Sequence, residues 1–172
     1  MRKLKLLLVA IALANAIGGC KPKQILPEPT QEGLNTFGVK IDGKVWLPVY
    51  PFSLLGGPPT LRASFKSGIL GIEARKKFFD EAIVLIVTGV HSEGTYKLKE
   101  DDSGGIGASK YDGDLVDDKY YPIPGGINKL TISKLDTINK VVSGTFEVQL
   151  QGEKNKNFKN FTNGTFDLKL WK

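Results

Sequence analysis

The feature that most constrains this chain is a phrase that occurs twice near its end. Val142-Ser143-Gly144-Thr145-Phe146-Glu147-Val148-Gln149-Leu150 is echoed by Thr162-Asn163-Gly164-Thr165-Phe166-Asp167-Leu168-Lys169-Leu170. Both read Gly-Thr-Phe-acidic-aliphatic, and both alternate apolar and polar residues with period two, the signature of a half-buried strand. Phe146, Val148 and Leu150 share one face, and Thr145, Glu147 and Gln149 the other. In the second copy Phe166, Leu168 and Leu170 fall together. Two such segments predict a pair of long antiparallel strands. Glycine there permits a bulge or a close backbone approach, with phenylalanine filling the core beside it.

The rest of the chain repeats the theme with shorter strands. Thr36 to Ile41 alternates, and Asp42-Gly43 then leads into Lys44-Val45-Trp46-Leu47-Pro48. An Asp-Gly pair between alternating runs predicts a type I′ hairpin, because both central residues need positive φ. Pro48 ends the second strand or places it at an edge. Leu61 to Phe65 and Ile69 to Ala74 read as strands about a Lys66-Ser67-Gly68 turn. Arg75 to Glu81 is a charged connection with room for one helical turn. Ala82 to Thr88, apolar on both faces and β-branched, is expected to be the most buried strand. Gly94 to Leu98, a short piece near Ser109 to Tyr111, and Leu130 to Leu135 complete the set. Tyr50 to Pro59, Glu100 to Asp118, Tyr120 to Gly126 and Gly152 to Lys159 read as loops, the third of them alternatively as an edge. Turn signals recur every 8 to 12 residues in much of the chain, and almost no amphipathic helix interrupts them. The expected fold is all-β, an antiparallel β-sandwich of about nine or ten strands. A closed lipocalin-like barrel is the alternative.

The opening residues carry an address. Arg2, Lys3 and Lys5 precede an apolar run, Leu6 to Ile17, too short for an ordinary transmembrane helix. Ile17-Gly18-Gly19-Cys20 then matches the bacterial lipobox, with the chain's one cysteine in the position that accepts diacylglycerol. Residues 1–19 are therefore read as a lipoprotein signal peptide and Cys20 as the lipidated residue. Residues 20–35, with Pro22, Pro27, Pro29 and Gly33, form a flexible tether, and residues 36–172 a single all-β domain. Lys21-Pro22-Lys23 carries no aspartate of the kind that retains lipoproteins in the inner membrane of enteric bacteria. It also lacks an acidic run of the surface-export type. The expected location is the outer membrane, facing the periplasm.

Charge and cysteine count narrow the function. Taking Arg2, Lys3 and Lys5 from 24 basic residues leaves 21 against 18 acidic ones, a net of +3. The basic residues are scattered and only two are arginines, so no nucleic-acid partner is expected. An acylated Cys20 leaves no thiol for a disulfide or a thiolate metal site.

Asn35-Thr36-Phe37, Ile41-Asp42-Gly43-Lys44, Trp46 and Pro48 together resemble the opening of an uncharacterised family of Bacteroidetes lipoproteins. Gly94-Thr95-Tyr96 and Leu130-Thr131-Ile132-Ser133-Lys134-Leu135-Asp136, running into Val142 to Phe146, are similar to that family's middle and late strands. The resemblance covers most of the chain after Cys20. It implies an all-β secreted lipoprotein and supplies no activity and no catalytic residue.

Four groups of residues could bear chemistry. Asp112, Asp114, Asp117 and Asp118, with Glu100, Asp101 and Asp102, offer the oxygen ligands that calcium takes. A solvated loop explains the same residues. Trp46, Tyr50, Phe52, Tyr120 and Tyr121, together with Tyr111, could stack on sugar rings from the proline-rich loops. Alternatively those rings staple the loops to the core. Trp46 lies opposite Val45 and Leu47 in the pleat, which places it at the surface. His91 and Ser92 lack any nucleophile-elbow phrase and read as ordinary loop residues. Lys154, Lys156 and Lys159 with Phe158 and Phe161 could meet a polysaccharide or membrane surface, or simply face solvent. No catalytic motif is present. The expected function is a non-enzymatic binding or accessory module of the cell envelope, anchored to the membrane through Cys20. Its ligand is a glycan or another envelope protein. A polysaccharide hydrolase and a carrier of an apolar ligand in a barrel cavity are the alternatives.

Overall fold

The structure is a computed structural model that describes residues 24–48, 60–76, 81–97, 106–112 and 115–171, with the backbone alone over 106–112 and 115–117. Eleven strands and no helix are present among the described residues. They are β1 (Thr36–Ile41), β2 (Lys44–Trp46), β3 (Leu61–Lys66), β4 (Ile69–Arg75), β5 (Glu81–Val87) and β6 (Gly94–Lys97). They continue with β7 (Ile106–Asp112), β8 (Leu115–Pro122), β9 (Asn128–Asp136), β10 (Val141–Gly152) and β11 (Phe158–Lys169).

Local chemistry sets the turns. Asp42 and Gly43 have φ of 49° and 78°, and Ser67 and Gly68 have 51° and 75°. Both pairs are therefore I′-type turns, whose twist matches the flanking strands. Asp42 also ties its turn to β11: Asn160 N–H donates to Asp42 Oδ1 at 2.9 Å.

The long strands organise the rest. Hydrogen bonding runs β2-β1-β11-β10-β8-β7-β5-β4-β3, with β9 also on β10 and β6 beyond β9. β10 pairs with β11 along one edge and divides the other between two partners. Val141 to Val148 pairs with β9, whereas Leu150 to Gly152 pairs with β8. The sheet folds over at this point into two antiparallel layers, β6-β9-β10-β11-β1-β2 and β8-β7-β5-β4-β3. The layers form a sandwich and do not close into a barrel. At the far edge β3 meets the end of β11 through one bridge, Ala63 to Leu170, and Trp171 N–H donates to Ala63 O at 2.8 Å. The core between the layers draws Leu70, Ile72 and Leu85 from one side and Leu130, Phe146, Phe161 and Phe166 from the other. Full burial of each such side chain contributes about 1.5–3 kcal/mol.

The repeated phrase turns out to be a reciprocal lock. β10 and β11 align so that Gly144 faces Phe166, Thr145 faces Thr165 and Phe146 faces Gly164. Each phenylalanine lies across the glycine of the other copy. A Cβ at Gly164 would stand 2.5–2.6 Å from three carbons of the Phe146 ring. One at Gly144 would meet the Phe166 ring at 2.7 Å and also fall inside the radius of Thr131 O. Glycine is required here for close approach.

Several expectations are corrected. Among the described residues there are eleven strands, because the segment near Ser109 to Tyr111 extends to Ile106–Asp112 and pairs with a further strand, Leu115–Pro122. Tyr120 to Pro122, read as loop or edge, closes β8 inside the sheet between β7 and β10. β5 is not apolar-buried on both faces: Ile83, Leu85 and Val87 are buried, while Ile86 is 37% exposed. The outer face of the β4–β5 pair is simply solvated there. Residues 77–80, where a helical turn was expected, lie outside the described residues. No helix among the described residues is long and apolar enough to cross a membrane.

Candidate functional site

The segment read as a free tether up to Asn35 is fastened to the sandwich well before that residue. Asp167 stands on the face of β11 opposite Phe166 and Leu168, where alternation predicts solvent, yet it is 1% exposed. The N-terminal segment covers it. Asp167 Oδ1 accepts hydrogen bonds from Gly33 N–H (2.8 Å) and Ser143 Oγ (2.6 Å). Asp167 Oδ2 accepts from Thr30 Oγ1 (2.6 Å), Glu32 N–H (3.1 Å) and Leu34 N–H (3.1 Å). Gly33 has φ of 71°, which turns three successive N–H groups toward one carboxylate. Burial pushes the Asp167 carboxyl up, but the bonds from Ser143, Thr30, Leu34 and Gly33 outweigh it and hold it at about 2, below the ordinary 3.8.

Upstream of this clamp, residues 25–29 form a strap across the sheet. The strap rests on Gly38, where a Cβ would come within 2.6 Å of Pro27 and 3.0 Å of Leu26. A groove opens on either side, and Pro27 lines both. The first, about 600 Å³, has an apolar lining of Ile25, Leu47, Pro48, Leu61 and Trp171, with Asn35, Thr36, Thr60 and Lys169 as polar groups. Trp171 is 57% exposed, and the Arg62 guanidinium lies 5.8 Å from its ring centroid. An exposed indole beside hydroxyl and amide groups can stack on a flat ligand face and bond its polar edge. The second groove, about 510 Å³, has a polar floor that includes Lys129, Thr131, Thr145, Glu147 and Asn163.

The aromatic residues expected to bind ligand fare differently from one another. Trp46 is 4% exposed: its ring meets Phe37 edge-on at 6.0 Å, and its Nε1–H donates to Glu81 Oε2 at 2.7 Å. It is a core residue, so its placement at the surface is corrected. Tyr120 is 5% exposed and is likewise no platform. Its hydroxyl accepts from Asn155 Nδ2 at 2.9 Å, and Lys159 Nζ sits 4.1 Å above its ring. It staples the β10–β11 loop, and Lys159 is committed to it. Tyr121 remains 39% exposed. Tyr50 and Phe52 lie outside the described residues.

Among the aspartates, Asp118 is 3% exposed and caps the β10–β11 loop. It accepts from Lys119 N–H (2.9 Å), Lys154 N–H (2.9 Å) and Asn155 N–H (3.2 Å). Burial pushes its carboxyl up, and these backbone bonds bring it below the ordinary value. Asp118 is thereby engaged with backbone donors. Asp114 is outside the described residues, and Asp112 and Asp117 are described in backbone only. No cluster of potential metal ligands occurs among the described residues. His91 is exposed, and Ser92 Oγ donates to Glu93 O at 3.1 Å.

Trp171 and Asp167 escaped the sequence reading. Trp171 carried a usable signal. It continues the alternation Asp167, Lys169, Trp171 on the face opposite Phe166, Leu168 and Leu170. Asp167 carried none, because its burial depends on a segment far away in the chain.

Residues 59–167 match the family described as a domain of unknown function (DUF6252), and the chain belongs to that family. No curated protein and no solved structure matches the chain. The matched span contains β3 through β10 and ends at the clamp residue Asp167, so the strap, β1, β2 and Trp171 lie beyond it.

Proposed function

We propose that this member of the family is an envelope lipoprotein, acylated on Cys20, that acts as a non-enzymatic binding module. The ligand class we assign is a glycan, held in the groove beside Trp171. The observation that carries this reading is an indole 57% exposed at the wall of an open groove, with Asn35, Thr36 and Thr60 close enough to line the same space. Apolar stacking and a few convergent polar groups are what a sugar ring requires. The reading as a carrier within a barrel cavity has lost its premise, since the sheets do not close. The strap adds a location. Leu26 already packs on the sheet at Gly38, so the chain from Cys20 to Leu26 can reach at most about 20 Å. The grooves flanking the strap would then lie close to the membrane surface, on the outer membrane and facing the periplasm in our reading.

The test is a thermal-shift and calorimetric screen of residues 24–172 against envelope and dietary glycans. A ligand at 100 times its dissociation constant stabilises by about 2.7 kcal/mol. Trp171→Ala should abolish the response while leaving the unliganded melting temperature nearly unchanged. Full binding by Trp171→Ala would remove this groove from the proposal.

A further inference from the structure

We propose that the second groove, on the other side of the strap, is an independent site for an extended neutral polysaccharide. The inference rests on the reading of the domain as a glycan-binding module, but on none of the residues that carry the Trp171 groove except the shared Pro27. Strand register brings four threonines into one line: Thr95 faces Thr131, Thr131 faces Thr145, and Thr145 faces Thr165. Neighbouring strands are about 4.8 Å apart, so Thr95, Thr131 and Thr145 present hydroxyls at that interval. This is close to the advance of one sugar in an extended β-1,4-linked chain. Thr95 and Thr131 hydroxyls already bond each other at 3.0 Å; Thr95 and Thr145 are exposed and Thr131 is half-buried, while Thr165, next to the strap's seat on Gly38, is buried.

Threonine suits an exposed strand without any ligand. What exceeds that need is the wall. The strap is held beside the row by the Thr30–Asp167 bond and by its seat on Gly38. Leu26 and the rings of Pro27 and Pro29 give the groove an apolar side, and the floor is polar. Sugar rings have this same division between C–H faces and hydroxyl edges. The charges favour a neutral chain: register places Lys129 opposite Glu147 on the floor, and Glu28 stands on the strap, so the groove presents both signs together. A strongly anionic or cationic ligand would meet one of them unfavourably.

The experiment is isothermal titration of residues 24–172, which contain every described strand, with linear β-1,4-linked hexasaccharides of glucose, mannose and xylose. Binding of at least one is expected. Thr131→Val with Thr145→Val keeps β-branching and the sheet, and should weaken that binding at least about tenfold. Gly38→Ala, whose Cβ would press on Pro27, Leu26 and Leu47 and so displace the strap, should weaken it too. Binding that persists in Trp171→Ala should disappear when the threonine pair is added to it. Loss through Trp171→Ala alone would refute this site and leave the Trp171 groove standing. Loss through the threonine pair alone would establish this site and count against Trp171 as the platform for these sugars. No heat with any of the three hexasaccharides, or equal binding by the threonine variant, would overturn the inference.

Discussion

Replacing Asp167 by asparagine should detach the strap and destabilise the domain by about 3 kcal/mol. Five donors converge on the carboxylate, two of them hydroxyls and three of them backbone N–H groups. An asparagine amide supplies one acceptor oxygen and one NH₂ that cannot accept. With the NH₂ in the Oδ2 position, the Glu32 and Leu34 N–H groups lose their acceptor. With the NH₂ in the Oδ1 position, Gly33 N–H loses its acceptor, while the Ser143 hydroxyl can rotate to accept. The second arrangement costs less, and a buried unpaired donor costs about 1–3 kcal/mol. To that is added the charge-assisted strength of the remaining bonds. The pKa gives a second route to the magnitude. A carboxyl held at about 2 instead of 3.8 contributes about 2.5 kcal/mol at neutral pH, at about 1.4 kcal/mol per unit. The sign follows from a depressed folded-state pKa. The contribution is complete above about pH 5 and is lost as the pH falls from about 4 through 2. Urea denaturation at a series of pH values reads both quantities. Asp167→Asn should shift the midpoint strongly at pH 7 and approach the unsubstituted protein below about pH 2. Hydrogen exchange should show lost protection at residues 32–34. Equal stability of the two proteins at pH 7, or a difference independent of pH, would refute the reasoning.

Further outcomes follow from the same contacts. Gly164→Ala should cost about 1–3 kcal/mol by overpacking against Phe146, and Gly144→Ala more, because there the obstacle includes the backbone of Thr131. Combining Gly164→Ala with Phe146→Leu should cost less than the sum of the two single changes in a denaturation double-mutant cycle. Ser67→Asn should raise the melting temperature by about 2–4 °C, since Ser67 holds φ of 51° in a I′-type turn that asparagine tolerates better. An unchanged or lower melting temperature by calorimetry would show that Ser67 carries no such strain. Trp46→Phe should lose the bond to Glu81 and destabilise by about 1 kcal/mol.

The layers were legible because they rest on local pattern. Alternation in the two Gly-Thr-Phe segments, and positive-φ turn chemistry at Asp42-Gly43, are written into adjacent residues. The reciprocal placement of Phe146 on Gly164 and Phe166 on Gly144 was only half legible. The glycines announced a close approach, but register alone decides which ring fills which gap. Trp46 shows where alternation leaves the choice of face open. It sits opposite Val45 in the pleat, but register pairs it with fully buried Val39, so Trp46 is the inward residue, edge-on to Phe37 with its N–H satisfied by Glu81. Tyr120 and Asp118 were read as ligand-facing because their neighbourhood is rich in turns and charge. Both are consumed in holding the β10–β11 loop, through partners 35 to 37 residues away. The grooves were not legible at all. Each is formed by a strap that adheres through Asp167 and Gly38, and contacts across more than 130 residues leave no periodic trace.

The measurement that tests the central claim most directly uses the contrast between the two tryptophans, one 4% and the other 57% exposed. In Trp46→Phe the emission reports Trp171 alone. Titration with the oligosaccharide that gives the largest thermal shift should move that emission to shorter wavelength and protect it from iodide quenching. A glycan that stabilises the domain while Trp171 stays equally quenchable would show that the ligand binds elsewhere, and would contradict the claim.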